Sequence, residues 1–237
     1  MRTFLVNPKN IKRGKVHING DEFHHAVSVT KIRNGEMIRG IDGRGKEYLL
    51  RVAEINHRKR TLFAEILEER TSSIDSPYES FLAFGLGKGA RIDYLIEKAT
   101  EVGVAGFIPL LTTRSVVRHL EKKERWIKIA LSAVKQSGRA KIPEILDPVS
   151  FEEVLSMRNR FEQGLIASLS AEKSLRDLVL KDSILLLIGP EGGFTPEELK
   201  RAQENGFEPF SLGPRTLRTE TASIAALSAI YLRKGEW

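Results

Sequence analysis

LLLIGPEGGFTPEEL, residues 185–199, is the stretch that decides how this chain folds. Leu185 to Ile188 are apolar without alternation, and Gly189-Pro190-Glu191-Gly192-Gly193 then breaks the run. An uninterrupted apolar run bounded by turn residues is the pattern of a strand covered on both faces, as in a parallel sheet. Thr195 to Glu198 read as a helix start: Thr195 as N-cap, Pro196 at the first helical position, and Glu197 and Glu198 in the first turn. A loop that only reversed direction would not need three glycines in five residues. Glycine lets a ligand come close to bare peptide groups.

The acids of the first turn repel an anion. The expected ligand is therefore neutral, zwitterionic or cationic, and held through peptide N–H and C=O groups. That excludes most phosphate cofactors and admits S-adenosylmethionine, whose sulfonium is a cation. A second loop, SLGPRTLRTETASIAAL (211–227), repeats the design: a strand end, Gly213-Pro214, and a helix beginning near Thr219 or Glu220 and running to about 233. Thr219-Glu220-Thr221 puts more hydroxyls and carboxylate into a helix start than one cap requires. The helix is mostly small and apolar, which suits close packing in a core or across a subunit interface. Two such strand-end loops are expected to neighbour each other and enclose one ligand.

Working outward, strands and helices alternate from residue 79: ESFLAFGL, RIDYLIEKATEVG, AGFIPLLT, KKERWIKIALSAVKQSG, SFEEVLSM, QGLIASL, DSILLLIG and EPFSLG. This predicts a mostly parallel sheet with helices on both faces and a ligand beyond the carboxyl ends of its strands. The first seventy residues differ. EMIRGID (36–42), KEYLLRVAEI (46–55) and TLFAEILEE (61–69) are short strands joined by DGRG and NHRKR, with a short helix near EFHHAVSV (22–29). A small barrel is the natural closure. TSSIDSPY (71–78) reads as the linker.

Charge follows the same division. Of the net +7, +6 belongs to residues 1–70 and +1 to the rest, which points the N-terminal part toward a polyanion or simply keeps it in solution. With no cysteine, disulfides and thiolate metal sites are excluded. The scattered His24, His25, His57 and His119 have no metal-ligand spacing, so no metal is expected. The N-terminus lacks a signal-peptide core and no stretch is long and apolar enough for a membrane span, so the expectation is a cytoplasmic protein. GLGKGA (85–90) fits G-x-G-x-x-A, but the next strand, GFIPLL, ends in Thr112-Thr113-Arg114 without the acid that would hold a ribose. Gly89 stands where a P-loop would follow Lys88 with Ser or Thr. A basic strand-to-helix turn near a substrate phosphate fits better.

GPEGGFTPEE followed by LGPRTLRTETA resembles the RsmE family of ribosomal RNA methyltransferases, within the SPOUT class. The resemblance extends to His24-His25, Gly35-Glu36, DGRG, IEKATEVGV (96–104), IPLLTTRSV (108–116), Arg125-Trp126 and AVKQSGRAKIP (133–143). Lys31 stands where the family usually has Arg, and Glu36 where it has Asp; both keep the charge. The resemblance implies a PUA-like β-barrel over residues 1–72 that binds RNA. It implies a SPOUT-type α/β domain over 73–237 with a C-terminal trefoil knot, a feature no residue pattern could reveal. It further implies a homodimer that uses S-adenosylmethionine to methylate N3 of a uridine in 16S ribosomal RNA, within the 30S subunit. By position, the cofactor contacts are Leu165 and Ile166; Ile188, Gly189, Pro190, Glu191, Gly192 and Gly193; Leu212 and Gly213; and Leu217, Arg218, Thr219, Thr221 and Ala222.

Methyl transfer to a uracil N3 needs the reacting atoms aligned and the nitrogen proton removed, with positive charge near O2 and O4. The basic segment 114–141 supplies candidates. Arg139, with Gln136 one turn earlier, closes a helix and opens a loop, and Arg114 follows a strand end. Arg139 can also serve simply as a helix C-terminal partner. Glu220 is the candidate base, although a carboxylate there can instead cap the helix or face the sulfonium. Arg2, Lys12, Arg13, Lys31, Arg33, Lys88 and Gln136 are the candidate RNA contacts. Two competing readings remain: an RNA-binding scaffold without turnover, and an oxidoreductase using GLGKGA.

Overall fold

The computed structural model describes residues 1–87, 89–115 and 123–236. Two compact units emerge, and the first is discontinuous: Met1–Asp75 with Val134–Ile142, against Ser76–Ala133 with Pro143–Trp237. The expected boundary at 72/73 took no account of the second segment.

In the first unit, β1 (Thr3–Leu5), β2 (Ile11–Lys12), β3 (Lys15–Ile18), α1 (Gly20–His24), β4 (Met37–Ile41), β5 (Lys46–Asn56) and β6 (Thr61–Thr71) succeed one another. A single π-helical turn, His25–Val29, extends α1. The strands form one six-stranded sheet in the order β1-β4-β5-β6-β3-β2, antiparallel except for β1 with β4. Its alternating strands turn Phe4, Ile38, Leu50 and Leu62 onto one core together with Phe23 of α1. A smaller cluster of Ile41, Val134 and Ala140 attaches residues 134–142 to the same unit. There the buried Asp75 carboxylate pairs with Arg139 at 3.2 Å and accepts the Ala140 and Lys141 peptide N–H groups. Burial alone would push the Glu47 carboxyl up, but hydrogen bonds and charge from Arg39 and Arg70 outweigh it and hold the group below its ordinary value.

The second unit contains β7 (Glu79–Gly85), α2 (Gly89–Val102), β8 (Gly106–Leu111), most of α3 (Lys123–Ser137), β9 (Glu144–Ile145), β10 (Val149–Ser150), α4 (Phe151–Ser156), β11 (Gln163–Ala167), β12 (Ser183–Ile188), α5 (Pro196–Glu204), β13 (Phe207–Phe210) and α6 (Thr219–Arg233). Every pairing in its seven-stranded sheet is parallel, and the order is β10-β8-β7-β12-β11-β13 with β9 on β8. The continuous apolar run of β12 has its reason here. Ile184, Leu186 and Ile188 enter the core shared with α2 and α6, while Leu185 and Leu187 enter the core on the opposite face with Phe151 and Ala202. The C-terminal ends of β11 and β12 lie side by side, Ile166 opposite Leu187. The loops that leave them therefore start next to one another.

Candidate active site

The GPEGG turn is closed by a main-chain bond. The Gly193 N–H donates to the Pro190 carbonyl at 2.8 Å, and Gly193 has φ of +66°, a conformation L side chains rarely adopt. Thr195 then caps α5, and the buried Glu198 closes a capping box by accepting the Thr195 N–H at 2.8 Å. The same carboxylate accepts the Thr113 N–H at 2.9 Å, joining the loop after β8 to the loop after β12. So Glu198 faces inward as a structural tie and not toward a ligand. The turn is also seated on β7: a Cβ on Gly85 would lie 2.2 Å from the Pro190 nitrogen. Gly85 of GLGKGA is thereby explained by close packing.

The second loop joins the first through one hydroxyl. Thr219, the first residue of α6 and buried, donates to the Gly189 carbonyl at 2.9 Å. Its neighbour Arg218 sits at the N-cap without a side-chain capping bond. Between these loops and the end of β11 lies a cavity of about 320 Å3. Ile188, Gly189, Pro190, Glu191, Gly192, Gly193, Leu212, Leu217, Thr219 and Ala222 line it, all of them expected from the sequence. Leu165 and Ile166 do not. Both are fully buried mid-strand and point into the cores on opposite faces of the sheet. The β11 contribution comes instead from Ala167, Ser168 and Leu169, at and just past the strand end. Gly213, Arg218 and Thr221 also lie off the lining, whereas Arg215 and Thr216 join it.

Residues 18–66 match the RNA methyltransferase PUA domain, and residues 75–231 match the RNA methyltransferase domain. The ribosomal RNA small subunit methyltransferase E of Bacillus subtilis is 34% identical over 227 residues, covering 90% of this chain and 88% of that protein. Its counterpart from Synechocystis is 30% identical over 233 residues, covering 95% and 76%. The chain belongs to this methyltransferase family. The solved structure of the Neisseria gonorrhoeae member bound to S-adenosyl methionine shares 33% identity and a TM-score of 0.89, with 98% of each chain covered. The family's α/β fold and PUA-like unit are thus both present here.

Against that family background, the candidate catalytic side chains occupy different places. Arg114 donates to the Gly192 carbonyl at 2.6 Å, and a Cβ on Gly192 would meet its Cδ at 3.2 Å. It braces the outer side of the glycine turn. Glu220 is half-buried in the first turn of α6, next to the lining residue Thr219. Arg139 is only 4% exposed, in its ion pair with Asp75, and does not line the cavity. In the first unit its ion pair with Asp75 fixes the 138–141 loop, a structural role that the sequence also allowed beside the catalytic one. Of the candidate RNA contacts, Arg2, Lys12, Arg13, Lys31, Arg33 and Gln136 are exposed. Arg2 pairs with Glu36 at 3.6 Å. Lys88 lies outside the described residues, as do Arg118, His119 and Lys122 of the basic segment.

Proposed function

We propose that this chain transfers the methyl group of S-adenosylmethionine to N3 of a uridine in 16S ribosomal RNA, as a cytoplasmic homodimer acting on the 30S subunit. The observation that carries this reading is the cavity at the ends of three parallel strands, walled by peptide groups and apolar side chains. Its charged lining side chains are one acid, Glu191, and one base, Arg215. That composition fits a zwitterionic amino acid with an added sulfonium and offers no clamp for a phosphate. When bound, S-adenosylmethionine supplies an electrophilic methyl carbon on a positively charged sulfur.

The chain's own residues do the rest. The Gly189–Gly193 peptide groups and Thr219 orient the donor, and Ile188, Leu212 and Leu217 keep water from it. Arg114 holds the turn in shape from outside. Glu220, one residue from the lining, is the group suited to take the N3 proton. The exposed basic residues of the first unit bind RNA phosphates. The trefoil knot rests on the family resemblance; in this chain Arg233, the last residue of α6, ties the 168–182 connection to that helix by donating to the Leu175 and Leu178 carbonyls at 2.7 Å each. Dimerisation is supported by the outward face of α6, where Thr221, Ala225 and Leu232 are exposed.

Incubation with labelled S-adenosylmethionine and 30S subunits, or with naked 16S RNA, tests the reading when paired with mass-spectrometric mapping. A 3-methyluridine at one position is expected. RNA binding with a steep salt dependence but no binding of S-adenosylmethionine would make the protein an RNA-binding scaffold, and a methyl on a ribose or another base atom would overturn the assigned chemistry.

A further inference from the structure

We propose that Glu191, tempered by Arg91, sets how strongly the cavity prefers the charged methyl donor over the uncharged thioether left after transfer. This rests on the reading of the cavity as the S-adenosylmethionine site. Glu191 is the acidic side chain of the lining, and it stands at the centre of the glycine turn. Its carboxylate is approached from the GLGKGA side. A Cβ on Gly87 would lie 3.2 Å from Oε1, close enough that the carboxylate would have to shift by a few tenths of an ångström. Arg91, in the first turns of α2, donates to the same oxygen at 3.2 Å. The GLGKGA turn and the arginine just after it thus supply the surroundings of one cavity carboxylate.

The chemistry gives that arrangement a use. At neutral pH the donor carries a sulfonium, an ammonium and a carboxylate. The product S-adenosylhomocysteine has lost the sulfonium charge, because the electron pair of the broken S–CH3 bond stays on sulfur. A carboxylate in the wall attracts the donor more than the product, which favours exchange of one for the other after each turnover. Unopposed, the same attraction would also hold the donor more tightly than the transition state, in which the sulfonium charge is already dispersing. A guanidinium on the far side of the carboxylate limits that cost. Both side chains are partly solvated, so the effect is one of degree.

The test is calorimetric affinity at fixed ionic strength for S-adenosylmethionine, S-adenosylhomocysteine and sinefungin, which keeps a cationic nitrogen but has no methyl to transfer. Glu191→Gln should lower the donor-to-product affinity ratio about three- to tenfold, and Arg91→Met should raise it about two- to fivefold. Sinefungin should track the donor in both variants. A ratio within twofold of wild type in both variants would overturn the proposal, as would sinefungin tracking the product. If the unaltered protein binds none of the three, the cofactor reading falls and takes this proposal with it.

Discussion

Thr219 shows how much one side chain can decide. Its hydroxyl is the direct bond between the loop after β12 and the start of α6, and it is buried. Thr219→Val keeps the shape but leaves the Gly189 carbonyl unpaired, which should cost about 1–3 kcal/mol in urea unfolding and weaken S-adenosylmethionine in calorimetry. Gly85 makes the complementary point. An alanine there meets main-chain atoms of Pro190 that cannot rotate aside. Gly85→Ala should therefore destabilise by about 1–3 kcal/mol and displace the turn, losing cofactor affinity although residue 85 lines no cavity. In the first unit, Glu47 governs acid sensitivity. Its folded-state carboxyl is held below the ordinary value of 4.5 by Arg39 and Arg70, despite burial that works the other way. The stability it contributes is present above that value and disappears as pH falls through the lower, folded-state one. Glu47→Gln should flatten this part of the acid-unfolding curve, and at pH 7 it should cost on the order of 3 kcal/mol because two guanidinium groups lose their partner.

Among the elements, α6 carries two duties on its two faces. Ala222, Ala226, Leu227, Ile230 and Tyr231 are buried in the unit's core, while Thr221, Ala225 and Leu232 are exposed. On the proposed dimer, Ala225→Glu puts a charge on the outer face without disturbing the inner one, and should convert dimer to monomer in sedimentation with little change in thermal stability. The bounds of this helix were readable in advance, because Thr219 and Glu220 mark its start and its small apolar residues run unbroken. The same holds for β12 and α5, whose signals are an apolar run, a cap and a proline. The strands β1, β2 and β3 left no such trace. At two to four residues each they are too short to show a period, and only pairing, β1 with β4, β3 with β6 and β2 with β3, makes them strands. The end of β11 was hard to read for a related reason: a strand buried on both faces gives no mark of where it stops, and Ala167, Ser168 and Leu169 line the cavity where the sequence pointed to Leu165 and Ile166. The inward turn of Glu198 was equally hidden, since its second partner, Thr113, is remote in sequence.

For the molecule as a whole, the uneven charge is the property with a measurable consequence. Residues 1–70 hold +6 of the net +7. Replacing Lys12, Arg13, Lys31 and Arg33 together with alanine should weaken RNA binding at every sequence tested. It should also reduce the slope of log affinity against log salt by up to about 3, since each phosphate contact contributes roughly 0.7–0.9. Cofactor affinity should stay within twofold, and an unchanged salt slope would place the RNA elsewhere. Point substitutions serve better here than truncation. Cutting at residue 72 would strip the partners of Val134 and Ala140, which count with the N-terminal unit even though they come late in the chain. That late contribution also bears on biogenesis. A ribosome making this protein must carry translation through Ile142 before the first unit owns all of its parts, by which time β7, α2 and β8 have already left the exit tunnel or are close behind. The six strands of the N-terminal sheet are all made by Thr71, but the segment 134–142 that completes their unit arrives only after the beginning of the next unit has been synthesised, so the first unit is finished out of chain order.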